Sequence, residues 1–208
     1  MHKTLAAFTA GVFALSSGGV FAGKDSDLGK EFGKATVSDA IDGSKLGKKW
    51  MVAKGDWQIS DGAIHGKELA ADKHAAVLNF AQPNKDSAIR FSFKLAGAKG
   101  FNLSYNKAQG HLFRVAVAEN GLTITLDKDK KDKASKVVKL GGATGRFKQG
   151  EWYTMLVVVE GENVSVQTDN GIKATGRHAT LKQPKPNYRF VMRGEALVLD
   201  DVKIWELK

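Results

Sequence analysis

With 208 residues, 42% of them hydrophobic and 26% charged, the chain has the size and balance of one soluble domain with a full core. It contains no cysteine, which excludes disulfides, thiolate metal sites, a cysteine nucleophile and a lipidated N-terminal Cys. Its formal net charge of +10 favours anionic partners such as acidic glycans, lipid headgroups or phosphorylated surfaces.

The chain opens on Met1-His2-Lys3, a short positive start, followed by an apolar or small run over residues 5–15. Ser16-Ser17-Gly18-Gly19 breaks that run, and Val20-Phe21-Ala22 suits signal peptidase. This pattern predicts a secretory signal peptide over residues 1–22 and a periplasmic or secreted mature chain. The run is shorter than the roughly 20 apolar residues a membrane span needs, and no integral membrane segment is expected in the mature chain. The mature chain keeps 31 Lys+Arg against 22 Asp+Glu, a net of +9. Nucleic acid is not expected as a partner: the protein leaves the cytoplasm and shows no recognition helix, zinc-finger spacing or RNP-type strand.

Residues 23–49 read as a polar arm with a short helix near residues 37–41, and residues 50–208 as a β domain. Trp57-Gln58-Ile59-Ser60-Asp61-Gly62-Ala63-Ile64 is a hairpin, because Asp-Gly supplies the positive φ values of a tight turn. Residues 69–73 suggest a helical turn, and residues 75–80 a buried strand. The longest alternating stretch covers residues 89–127, read as four strands joined by turns. Ile89, Phe91, Phe93, Leu95, Phe101, Leu103, Tyr105, Phe113, Val115, Val117, Leu122, Ile124 and Leu126 would point inward. Arg90, Ser92, Lys94, Asn102, Ser104, Asn106, Arg114, Thr123 and Thr125 would share a polar outer face. A dense charged loop over residues 127–136 follows, then a strand over 136–140 and a loop over 141–147. Gly150, Gly161 and Gly171 punctuate a three-strand meander, and two more strands close the chain. About a dozen short strands with regularly spaced turns predict an all-β sandwich.

Three stretches carry a resemblance. Residues 57–64 resemble the opening hairpin of concanavalin A-like jelly rolls. Gly150-Glu151-Trp152, a strand and Asp169-Asn170-Gly171 resemble their "G-E-W … N-G" meander, and Leu199-Asp200-Asp201-Val202-Lys203-Ile204 resembles their last strand. Residues 50–207 are similar to the bacterial 3-keto-disaccharide hydrolase family (3-keto-glucoside lyases and hydratases). That resemblance implies a concanavalin A-like jelly-roll β-sandwich of two antiparallel sheets, with sugar on the concave face or its rim. Family enzymes usually carry a Glu in the strand corresponding to residues 111–115; here its position holds Leu112.

On the residues alone, Arg90, Lys94, Asn102, Asn106 and Arg114 form the candidate ligand-binding set, because amide and guanidinium groups suit hydroxyls, carboxylates and sulfates. His111, at a strand mouth after Gly110, is added as a sugar ligand or general base, although strand parity places it with Phe113 rather than Arg114. Trp57 and Tyr188 are the aromatic groups expected to be exposed. No pair of carboxylates faces across a glycosidic bond, so catalytic residues are not assigned. The histidines lack metal spacing; no metal and no cofactor are expected. The leading expectation is an exported domain recognising a carbohydrate, with an anionic polysaccharide favoured by the basic balance. A 3-keto-glycoside hydrolase or lyase is the alternative, and a structural or adhesion module of the cell envelope the second.

Overall fold

The computed structural model describes residues 26–207, so the predicted signal peptide over residues 1–22 lies outside the described residues. The described strands are β1 (Val37–Asp39), β2 (Trp50–Lys54), β3 (Asp56–Ser60), β4 (Ala63–Lys67), β5 (Ala76–Phe80), β6 (Ser87–Leu95), β7 (Ala98–Asn106) and β8 (His111–Ala118). They continue with β9 (Gly121–Leu126), β10 (Val138–Thr144), β11 (Trp152–Glu160), β12 (Asn163–Thr168), β13 (Lys173–Arg177), β14 (Tyr188–Gly194) and β15 (Leu197–Glu206). They form two antiparallel sheets. The first runs β13-β12-β11-β6-β15-β4-β3, with β1 also paired to β15; the second runs β10-β9-β8-β7-β14-β5-β2. This is the expected all-β jelly-roll sandwich.

Local chemistry sets the hairpins. Asp61 and Gly62 adopt φ of 52° and 69°, the two positive values of the turn that joins β3 to β4. Inward-facing aromatics then lock the sheets together. Phe91 and Phe93 of the first sheet meet Phe101 of the second edge-on, with ring centroids 6.1 and 4.9 Å apart, and Phe91 meets Phe190 at 5.2 Å. All four rings are buried, and each contributes about 1.5–3 kcal/mol relative to exposure. The predicted inward set is buried throughout except Leu126, which is half-buried at the end of β9.

The stretch over residues 89–127 is not one four-strand unit. β6 lies inside the first sheet between β11 and β15, whereas β7, β8 and β9 are neighbours in the second. Between them Gly97 takes φ +103°, and the amides of Ala96 and Ala98 both donate to the Ala196 carbonyl. This anchored corner sends the chain across the sandwich instead of folding β7 back against β6. Residues of β6 that point away from the core therefore lie on the opposite outer surface from those of β7–β9.

The arm also differs from expectation. The segment expected to be helical near residues 37–41 contains β1, whose register runs Val37↔Ile204 to Asp39↔Val202. The free ladder of β15 there supplies hydrogen bonds that an isolated helical turn could not match. Upstream, residues 26–36 lie over the outer face of the first sheet. Trp205 Nε1 donates to the Gly33 carbonyl at 3.0 Å, and the Phe32 ring sits 5.7 Å from that of Trp205. The domain thus begins well before residue 50.

Among the described residues the buried Tyr105 hydroxyl has no hydrogen-bond partner, and burial, reinforced by Tyr188, raises its pKa well above the ordinary tyrosine range. Its ring stacks on Phe113 at 4.3 Å. Tyr105→Phe keeps the stack and removes the orphaned hydroxyl, so it raises unfolding stability by about 1 kcal/mol. Denaturant titration checks this; a loss of stability instead would mean that the hydroxyl has a partner such as a buried water.

Candidate functional site

Outward side chains of the second sheet line up because its strands are in register. Asn79 of β5, Arg189 of β14, Ser104 of β7, Arg114 of β8, Thr125 of β9 and Lys139 of β10 are successive cross-strand partners. Their chain neighbours, including Tyr188, Phe190, Leu103, Tyr105, Phe113 and Val115, fill the core, so strand alternation turns the row to the outer face, where Ser104 is nonetheless covered and buried. About 7 Å along the strands lies a second, shorter row of Asn187, Asn106 and His111. Asn106 pairs with His111 across the ladder, and its Nδ2 donates to Asn187 Oδ1 at 3.0 Å.

His111 reaches this face through a β-bulge. Tyr105 pairs with Phe113 and Asn106 with His111, so Leu112 has no partner of its own. The extra residue reverses the alternation: Leu112 tucks into the core and His111 turns outward beside Asn106. The bulge resolves the parity conflict seen in the sequence. It also places the position of the family Glu in an apolar interior, where a carboxylate would be costly.

The hydrogen bonds define the state of the imidazole. Asn106 presents its amide nitrogen to Asn187, so its Oδ1 is the atom 2.8 Å from His111 Nδ1. Nδ1 therefore donates, and Nε2 keeps its lone pair. Burial lowers the His111 pKa below 6.5, Arg189, Arg114 and Lys130 push the same way, and Asp127 opposes them. The ring is half-buried and neutral at pH 7, with a basic nitrogen available.

Two guanidinium groups stand in this region in different circumstances. Arg114 is engaged by Asp127 through both Nε and a terminal nitrogen. Arg189 is half-buried, and its side chain forms no hydrogen bond or ion pair among the described residues. Burial and the neighbouring Arg114 disfavour its charge, while Asp127, already committed to Arg114, partly offsets them. A cation in that position is ready for an anionic or hydroxyl-rich ligand. Lys107, paired with Asp129 at 2.7 Å, and Lys130 border the site.

The structure gathers only part of the predicted set. Asn106, His111 and Arg114 belong to the two rows, and Asn102 sits on the same outer face, opposite Val191 and Ala116. Arg90 and Lys94 do not join them, because β6 lies in the other sheet. Arg90 is 5% exposed; it pairs with Asp201 and donates to the Ser26 carbonyl at 3.1 Å. Lys94 sits 4.9 Å from the centre of the Trp152 ring. Trp57 and Tyr188, expected to be exposed, are buried. Conversely, Arg189, Asn79 and Asn187 were not selected. Arg189 was findable, since Tyr188, Phe190 and Met192 alternate with it, but nothing local indicates that β14 inserts between β5 and β7.

Residues 36–190 match the family model described as 3-keto-alpha-glucoside-1,2-lyase-like domain. The chain belongs to this family. No curated protein matches it. The chain is similar in fold to carbohydrate-binding module CBM66 from Bacillus subtilis, with TM-score 0.61 and 10% identity over 76% of this chain and 96% of that one. Porphyranase B from Zobellia galactanivorans gives TM-score 0.61 and 9% identity, covering 83% and 92% of the two chains. LamAcat from the same organism gives 0.60 and 11%, covering 86% and 100%. At these identities the likeness establishes the fold; what this chain binds rests on its own side chains.

Proposed function

We propose that the outer face of the second sheet binds a carbohydrate, and that the ligand is an anionic polysaccharide held chiefly by Arg189. The observation that carries this reading is the cross-strand row containing the uncommitted guanidinium of Arg189. Hydroxyl and amide groups of Asn79, Thr125 and Asn102 suit sugar hydroxyls, while Arg189 suits a carboxylate or sulfate in two-pronged fashion. Jelly-roll neighbours named as a carbohydrate-binding module and a porphyranase support the carbohydrate class. Titration calorimetry with sulfated, uronate-containing and neutral polysaccharides tests it; measurable binding confined to the neutral ones would overturn the anionic preference.

The same face has a signed pH dependence. Protonating His111 adds a positive charge close to Arg189, so affinity for a sulfated glycan, ionised throughout, rises as pH falls through the lowered His111 pKa, below 6.5. Affinity should increase in the wild type as pH is lowered from 7 through that pKa and stay flat in His111→Gln. A flat wild-type profile would remove His111 from the binding surface.

A second reading is elimination or hydrolysis of 3-keto-glycosides. It is favoured by family membership together with the Asn187–Asn106–His111 chain, which leaves Nε2 free to take a proton from a carbon beside a carbonyl. Incubation with a 3-keto-glucoside is the test: turnover lost in His111→Ala supports it, and absence of turnover in the wild type removes it. Export to the periplasm or beyond is part of the proposal and rests on the pattern of residues 1–22. Mass spectrometry of the purified mature chain checks it, with an N-terminus at Gly23 expected.

A further inference from the structure

A depression lies on the opposite surface, between the N-terminal arm and the outer face of the first sheet. Its volume is about 560 Å³, and its lining contains four cationic side chains, Lys30, Lys34, Arg90 and Lys203, with no acidic residue. Ser26 and Ser38 add hydroxyls to the same wall.

The charges there are only partly compensated. Asp201 serves both Arg90 and Lys203, the latter at 3.5 Å, and Lys30 pairs with Asp27 on the solvent side. Lys34 has no acidic partner among the described residues. The four cations thus have two carboxylates between them. The buried Arg90 also keeps an Nε–H that no acceptor among the described residues satisfies, an arrangement that ordinarily costs free energy.

We infer that this depression is a small-oxyanion site, taking a phosphate or sulfate group held by Lys34, Lys203 and Arg90. A tetrahedral oxyanion supplies several acceptors and the negative charge that the lining lacks. It would bridge the arm, through Lys34, to the sheet, through Lys203 and Arg90. Occupancy would therefore hold residues 26–36 in place. This site is independent of the glycan reading, since it lies on the other sheet and shares no residue with the rows around Arg189.

Nuclear magnetic resonance titration with inorganic phosphate and inorganic sulfate tests it, with glucose 6-phosphate as the sugar-borne arm. The indole Nε1–H of Trp205, hydrogen-bonded to Gly33 at the depression, is the reporter. A saturable shift of that resonance is expected with either free ion. In the double variant Lys34→Gln, Lys203→Gln the affinity should fall about tenfold, since two partly exposed charges are lost. Arg189→Ala should leave the titration unchanged. Arg90→Ala is avoided because it would strand Asp201. A linear, non-saturating response, equal affinity in the double variant, or a response to glucose 6-phosphate with none to the free ions would each overturn the inference.

Discussion

Asp201→Ala should lower unfolding stability by about 3–5 kcal/mol, because it leaves the buried Arg90 guanidinium without its counter-charge. The side chains of this pair are only 7% and 12% exposed. Asp201 is placed for the role by a bulge in β15 between Asp200 and Lys203, where it takes φ of 45° and its amide donates to Asp200 Oδ1. A short acidic residue tolerates that left-handed backbone better than most. The loss should spread to the arm, because Arg90 also holds the carbonyls of Ser26 and Leu28. Hydrogen exchange should therefore accelerate over residues 26–36 before the core strands respond. Replacing both partners by apolar residues, Arg90→Met with Asp201→Leu, should recover much of the stability, since no unpaired charge then remains. Equal stability of Asp201→Ala and the wild type would show that the pair does not hold the arm.

Arg189→Ala should weaken binding of an acidic polysaccharide roughly 10- to 100-fold, the range for losing charged hydrogen bonds worth about 1.5–3 kcal/mol. Arg189 carries this role because Asp127 is already committed to Arg114. Arg189→Lys should restore the charge but not the planar fork, and should recover only part of the affinity. Folding should be little affected, since the guanidinium makes no internal hydrogen bond among the described residues. By contrast, Lys94→Ala should leave binding unchanged, because Lys94 lies on the other sheet against Trp152.

Much of the fold was legible because alternation reports burial directly. Phe91, Phe93, Phe101, Leu103 and Tyr105 all face the core, as their spacing requires. Alternation reports inward or outward, however, and a sandwich has two outward surfaces. Arg90 and Asn102 have the same parity and lie on opposite surfaces, a distinction set by how Ala96 and Ala98 anchor the corner at Gly97. His111 failed the parity rule because a single unpaired residue, Leu112, shifts the register. Arg189 was missed for a different reason. It meets Ser104, 85 positions earlier, through a strand inserted between elements distant in sequence, and pairing of that range leaves no local trace.

The acidic glycan meets the surface of β14, β7 and β8, while the arm packs over part of the opposite surface around Trp205. Amide chemical-shift mapping with an acidic oligosaccharide tests it most directly. Perturbations clustered at Asn79, Ser104, Asn106, His111, Arg114 and Arg189, and lost in Arg189→Ala, are the expected result. Perturbations centred on Arg90, Lys94 and Trp152 with the Arg189 surface silent would contradict it.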